Sequence, residues 1–238
     1  MNTEKFKSGL KVCILCGGKG TRLGSLTKNI PKPLIPINGK PILSYIIDHI
    51  KNAGIKDVII ASGYKSDKIS DYFSSNFNNL DIQIVNSGDV DIIQRIKDMA
   101  YLLQGDFILL YGDTVSNVDL NRLIDYHHSH SGKATVTLWP LQSQFGILEV
   151  NSKGMISSYE EKPVLDKWIN IGYFYFEHSV LSMLNVVDRF DEFIQYLVKN
   201  DELNGFKHQG LHITVNTMKE LEEAEKNIEK FTFVEGYQ

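Results

Sequence analysis

Three features of the chain could do chemistry on a polyanion. The first is GGKGTRL at residues 17–23. Glycines there allow a tight turn whose backbone N–H groups can approach phosphate oxygens without obstruction by a Cβ, and Arg22 adds a fixed, multidentate cation. The second is PKPLIP at 31–36, where flanking prolines hold Lys32 in an ordered stretch. The third is Asp113, the carboxylate that closes the apolar run DFILLYGD at 106–113. Exposed lysines and arginines are often merely solvated, but an ordered Gly/Pro loop is a costly place for idle cations. The glycine loop superficially matches a dinucleotide-binding GxGxxG. Its third glycine is missing, however, and proline-rich sequence rather than helix follows; the GK[ST] ending of a P-loop is absent too.

Charge is distributed to match. The net charge is −4, which argues against broad nucleic-acid binding. Residues 1–40 nevertheless carry eight Lys/Arg against one acidic residue, a balance of +7 that leaves −11 for the rest. A small polyanionic ligand would want positive charge beside the glycines; Lys5, Lys7 and Lys11 read equally well as a solvated basic start.

These residues must be positioned by elements that the pattern announces. KVCILC (11–16) reads as a buried strand ending at Gly17 and Gly18. Four of the six prolines fall between Pro31 and Pro41, which predicts an extended, irregular segment. A helix opens at Pro41 and stops at Gly54. Strand 57–62, helix 67–77, strand 82–86, helix 92–103 and strand 106–113 then alternate, the βαβ rhythm of a parallel sheet covered on both faces. Ligands of open α/β sheets bind beyond the carboxyl ends of the strands, where Asp113 stands. After a helix near 119–130 come strand-like segments at 134–139, 145–150, 155–159 and 169–176, which suggest a substrate-binding half. Helices near 178–184 and 190–199, a strand pair near 204–215 and a helix at 218–230 close the chain.

At 238 residues, 42% hydrophobic and 23% charged, the composition is that of one ordinary globular domain. We expect two halves in it, an alternating one at about 10–115 and a substrate-binding one at about 116–238. The polar start MNTEKFKSGLK has no long apolar segment, so a cytoplasmic protein without membrane contact is expected. Cys13 and Cys16 could suggest a redox or zinc CxxC. Their odd offset in a strand points them to opposite faces, and buried strand cysteines are expected. HHSH at 127–130 could suggest a metal, but near a helix end solvated histidines are expected.

The stretch LCGGKGTRLGSLTKNIPKPLIPINGKPIL closely resembles the signature of the sugar-phosphate nucleotidyltransferases, GGxGTRLxxLT followed shortly by PKP. GYK (63–65), YGD (111–113), FGILEV (145–150), EEKP (160–163) and WINIGYFYFE (168–177) extend the match over nearly the whole chain. The FG, EKP and WIN segments, with ELNGFKHQG and VNTMKELEEAE, look most like the glucose-1-phosphate cytidylyltransferase branch.

The resemblance implies an α/β, Rossmann-like fold of the nucleotide-diphospho-sugar transferase (GT-A-like) type, with a mostly parallel central sheet, helices on both faces and a mixed β sugar-binding half. It implies transfer of a nucleotidyl group from a nucleoside triphosphate, CTP favoured, to a sugar 1-phosphate, in a homo-oligomer that uses Mg²⁺. Gly17, Gly18, Gly20, Thr21 and Gly112 would line the nucleotide, with Gln94 a candidate contact to the base. Arg22, Lys32 and Lys162 would neutralise phosphate charge, and Lys162 with Gly146, Glu161 and Asn170 would hold the sugar phosphate. Asp113 would bind the metal.

Two departures stand out. Relatives supply a second metal aspartate from a late DT segment, where this chain has Val215, Asn216 and Thr217; SGDVDIIQRIKD (87–98) lacks the glycine and threonine pair that helps to hold the base. A catalytically weak nucleotide-sugar-binding or regulatory paralogue, or transfer to a non-sugar phosphorylated metabolite, therefore stays open.

Overall fold

The computed structural model describes residues 4–76 and 80–231. A short helix, α1 (Glu4–Lys7), leads into β1 (Lys11–Cys16), which is mostly buried. Three 3₁₀ turns follow, Thr21–Leu23, Leu26–Lys28 and Lys32–Leu34, then a two-residue ladder of β2 (Pro36–Ile37) with β3 (Lys40–Pro41). The expectation of extended chain through the prolines is thus corrected: Pro33 enters a turn early, where a missing N–H breaks no bond.

The alternating middle of the chain forms as its periodicity demands. It comprises α2 (Ile42–Asn52), β4 (Asp57–Ser62), α3 (Ser66–Asn76), β5 (Asp81–Asn86), α4 (Ile92–Met99) and β6 (Phe107–Tyr111). Gly54, at a φ of 77°, ends the α2 segment in the left-handed conformation that glycine adopts without strain. The expected helix end at Phe77 lies outside the described residues.

The rest of the chain adds β7 (Thr114–Ser116), α5 (Leu120–His128), β8 (Ala134–Gln142), β9 (Ile147–Val150), β10 (Ile156–Glu160) and β11 (Val164–Phe176). It closes with α6 (Phe190–Lys199), β12 (Leu203–Lys207), β13 (His212–Thr214) and α7 (Met218–Asn227). Two expectations fail here. The stretch His178–Val186 is 3₁₀ rather than α-helix, and the Ser182 hydroxyl competes for a backbone carbonyl by donating to Ser179 O at 2.8 Å. The strands near 204–215 do not pair with each other: β12 joins β8 in the main sheet, and β13 pairs with β7.

Seven strands form one sheet in the order β12-β8-β11-β6-β1-β4-β5. All run the same way except β11, which is antiparallel to both of its neighbours. Helices cover both faces. Ile42, Ile46 and Ile50 of α2, with Leu123 of α5 and Leu221 of α7, pack against Val12, Ile14 and Leu110. On the other face, Ile93 and Ile96 of α4 with Phe193 and Leu197 of α6 pack against Cys13, Leu109 and Phe174. The mostly parallel α/β fold expected from the sequence is what forms. Cys13 and Cys16 do face opposite sides, both free and buried, and burial pushes both thiols well above their ordinary range.

Of the histidines at 127–130, His130 is exposed as expected, but the two that end α5 correct the expectation. His127 is buried, its Nδ1 2.9 Å from the Thr135 hydroxyl and its ring centroid 4.2 Å from that of Tyr175, while His128 stacks on Phe6. An aromatic cluster, rather than water, surrounds them because the end of α5 lies over the sheet. No helix among the described residues is long and apolar enough to cross a membrane.

Candidate active site

The chain leaves β1 for β4 and β5 on one side, then returns to β6 on the other. The carboxyl ends of β1 and β6 therefore flank a topological switch point, where open α/β sheets bind ligands. The glycine loop follows β1 and Asp113 follows β6, so both open onto a cleft of about 420 Å³. Its wall includes Gly17, Gly18, Asp91, Arg95, Tyr111 and Asp113.

The two glycines at its floor are required for different reasons. A Cβ on Gly17 would stand 2.0 Å from the guanidinium carbon of Arg95, whereas a Cβ on Gly18 would meet nothing within 4 Å. Gly17 thus makes room for a side chain of the protein, and Gly18 leaves backbone open to the cleft. Gly20, at a φ of 62°, packs on Thr27 and Lys32, while Thr21 opens the turn that carries Arg22. Gly112 hydrogen-bonds Leu15 O at 3.0 Å, and a Cβ there would collide with Leu15 O and the Cys16 thiol at 2.7 Å.

At the mouth of the cleft four nominated residues meet. Lys32, only 7% exposed, forms an ion pair with Asp113 and donates to Asn216 Oδ1 at 2.8 Å. Arg22 donates to the same Asn216 oxygen at 3.0 Å. The pairing of β13 with β7 brings Asn216 here, reinforced by the bond from Val215 N to Asp113 O at 3.2 Å. A helix cap then holds it: Thr217 Oγ1 accepts from Glu220 N at 3.2 Å, and Glu220 Oε2 accepts from Asn216 N at 2.7 Å.

A hard divalent cation takes one or two protein oxygens together with phosphate oxygens and water. Asp113 Oδ2 and Asn216 Oδ1 both contact the Lys32 ammonium, so they face a common point. That donor set fits Mg²⁺, with a neutral amide in the second place instead of a carboxylate. Among the described residues no three His, Cys, Asp or Glu cluster to form an all-protein cage, and a cation here would depend on substrate oxygens for the rest of its shell.

A profile described as "Nucleotidyl transferase" matches residues 11–230. The chain belongs to the nucleotidyl transferase family. It is 34% identical to the "Probable glucose-1-phosphate cytidylyltransferase" of Bacillus subtilis, over 91% of this chain and 95% of that one. It is also 31% identical to the D-glycero-alpha-D-manno-heptose 1-phosphate guanylyltransferase of Campylobacter jejuni, over 78% and 85% respectively. The fold is shared with a crystal structure of HddC from Yersinia pseudotuberculosis complexed with GMP-PN, at a TM-score of 0.72 and 23% identity over 92% of this chain and 99% of that one.

Two residues of this nucleotidyl transferase escaped sequence reasoning. Arg95 is 4% exposed and forms no ion pair with a carboxylate among the described residues; its guanidinium donates to the carbonyls of Ser62, Gly88 and Val90, the last two at 3.0 Å. Burial lowers its pKa from the ordinary arginine value. A charged residue amid QRIKD reads as solvated surface; the signal lay in Gly17, Gly63 and Gly88, whose backbones crowd around this side chain. Tyr111 is the second. Its ring lies where a Cβ on Gly172 would come within 2.3 Å, and burial raises the pKa of its hydroxyl above the ordinary tyrosine value.

The remaining nominated residues are dispersed. Gln94 is exposed and gives its amide to Asp98 at 2.7 Å, while Asp91, Ile92 and Arg95 build the cleft wall beside it. Asn170 accepts from Gly172 N at 2.7 Å, and Gly172 packs on the ring of Tyr111 in the cleft wall. Gly146, Glu161 and Lys162 flank the exposed β9–β10 hairpin. The Tyr159 ring covers Gly146, and its hydroxyl donates to Glu161. Lys162, at a φ of 48°, adopts a left-handed conformation uncommon for a residue with a side chain.

Proposed function

We propose that the chain joins a nucleoside triphosphate, with CTP favoured, to a sugar 1-phosphate, releasing pyrophosphate, and that it does so as a cytoplasmic homo-oligomer. The observation that carries this reading is the meeting of two cations, Arg22 and Lys32, with two oxygen ligands, Asp113 and Asn216, beside the open backbone of Gly18.

In this reaction an oxygen of the sugar phosphate attacks the α-phosphorus, the bond to the bridging oxygen of the β-phosphate breaks, and pyrophosphate departs with the electron pair. The nucleophile is already ionised at neutral pH, so no general base is needed. The obstacle is the mutual repulsion of two polyanions, which cations and positioning remove. Gly17, Gly18, Gly20, Thr21 and Gly112 line the nucleotide, Arg22 and Lys32 neutralise the triphosphate, and Lys162 holds the sugar phosphate. Glu161, Gly146 and Asn170 meet the sugar hydroxyls. Mg²⁺ held by Asp113 and Asn216 would screen charge on the bound phosphates.

CTP is favoured by the FG, EKP and WIN motifs and by likeness to the Bacillus subtilis protein. Likeness to a guanylyltransferase makes the base an experimental question. Pyrophosphate release with CTP, UTP, GTP and dTTP against a panel of sugar and non-sugar phosphates tests the proposal, and turnover is expected to be fastest with CTP. A second reading, a regulatory nucleotide-sugar-binding paralogue, draws on the amide at Asn216 in place of a carboxylate. Nucleotide binding without pyrophosphate release from any pair would select it.

A further inference from the structure

We infer that Lys19 is a further phosphate-binding residue, and that Asp89 is a competing carboxylate from which the triphosphate must draw it. The inference rests on the proposed reading of the cleft as a nucleotide site. Lys19 stands between Gly18 and Gly20 in the glycine loop. It donates to Asp89 Oδ2 at 2.5 Å, and Asp89 is its only ion-pair or hydrogen-bond partner among the described residues. Asp89 belongs to the turn between β5 and α4 and lines the cleft together with Asp91 and Arg95. The pair therefore ties the loop proposed to cradle phosphates to the wall beside it.

A carboxylate in the wall of a cleft for polyanions repels the ligand, so each one there needs a physical reason. Asp91 has a local one: its Oδ1 caps α4 by accepting from Gln94 N at 3.0 Å. Asp89 has no such task, and among the described residues Lys19 alone hydrogen-bonds its side chain. The backbone on either side of Asp89 is fixed, since Arg95 donates to the carbonyls of Gly88 and Val90 at 3.0 Å. The paired side chains are not fixed in that way, being 51% exposed for Lys19 and 76% for Asp89.

An exposed ion pair shifts an equilibrium by no more than about fivefold, so it yields to an acceptor of higher charge. A triphosphate is such an acceptor. The flexible four-carbon stem of a lysine redirects its ammonium by rotamer changes alone, without movement of the loop. Gly18, next to Lys19, leaves its backbone open to the cleft, and Arg22, three positions on, reaches Asn216 at the mouth. Lys19 thus adds a third cation to Arg22 and Lys32, and it comes from the middle position of the glycine loop. Asp89 keeps that cation ordered beside the cleft at a small cost in nucleotide affinity.

Isothermal titration calorimetry of the full chain with CTP, UTP, GTP and dTTP in the presence of Mg²⁺, without a sugar phosphate, tests the inference. The tightest binder is carried through a double-mutant cycle. Lys19→Gln is expected to weaken binding by about threefold to tenfold, the worth of a charge-assisted hydrogen bond discounted for exposure. Asp89→Asn is expected to tighten binding by about two- to fivefold more in the wild-type background than in the Lys19→Gln background. Repulsion of the phosphates by Asp89 acts in both backgrounds, so that ratio isolates the ion pair. Both side chains are exposed, and all four proteins are expected to share one circular dichroism spectrum. Equal gains in the two backgrounds, or a Lys19→Gln affinity equal to that of the wild type, would overturn the inference and leave the nucleotide reading intact. A wild type that binds none of the four nucleotides would sink that reading and the inference with it.

Discussion

Lys32 and Asp113, 81 positions apart in the chain, form an ion pair at the mouth of the glycine cleft, with the lysine side chain almost fully buried against it. The pair joins a cation from the proline segment to a carboxylate at a strand end. Burial of a charge is tolerated only when it is paired and hydrogen-bonded; Asn216 supplies the further acceptor.

Arg22 contacts only the edge of this group, through Asn216, and is exposed. Its removal should leave the fold intact and withdraw a donor from charge that develops on the departing pyrophosphate. Arg22→Ala is expected to lower kcat by about two to three orders of magnitude. Steady-state pyrophosphate release checks this, and turnover near the wild-type rate would remove Arg22 from the mechanism.

Asn216→Asp replaces a neutral oxygen ligand by a charged one at a position already held by the α7 cap. Half-maximal activation should require roughly tenfold less Mg²⁺, because ligand charge sets affinity for hard cations. A magnesium titration of turnover measures it. An unchanged midpoint would mean that residue 216 does not touch the metal.

Substitution of the glycines at 17 and 18 should weaken nucleotide binding in both cases but cost stability only at 17. Gly17→Ala must displace the Arg95 guanidinium and is expected to cost about 1–3 kcal/mol in urea denaturation, together with weaker nucleotide binding. Gly18→Ala meets no protein atom, so stability should stay within about 0.5 kcal/mol while nucleotide affinity falls. Equal stability losses at both positions would contradict this division of roles.

Acid should destabilise the fold through three histidines. Burial is the main cause that depresses His49, His127 and His212 to about 4, below the roughly 6.5 of an unfolded chain. A base with a depressed folded pKa contributes fully above its unfolded value and loses that contribution as pH falls toward the folded one. Stability should therefore decline between about pH 6.5 and pH 4, with up to about three protons taken up on unfolding. Urea denaturation across that window measures the slope; a flat profile would place these rings in contact with water.

The amino-acid sequence by itself determined the elements and the kind of chemistry. Strand and helix periods in residues 57–113, the stop at Gly54 and the opposed faces of Cys13 and Cys16 are local properties of side-chain spacing. The glycine loop, the proline-held Lys32 and the strand-end Asp113 could be nominated because each depends on its immediate neighbours. Tertiary structure decided what depends on distant partners. It paired β13 with β7 rather than with β12, which delivers Asn216 to Asp113. It buried Arg95 among three glycines and His127 against Tyr175. Those outcomes follow from long-range strand pairing and packing, whose favourable contacts offset a chain entropy that no local pattern records.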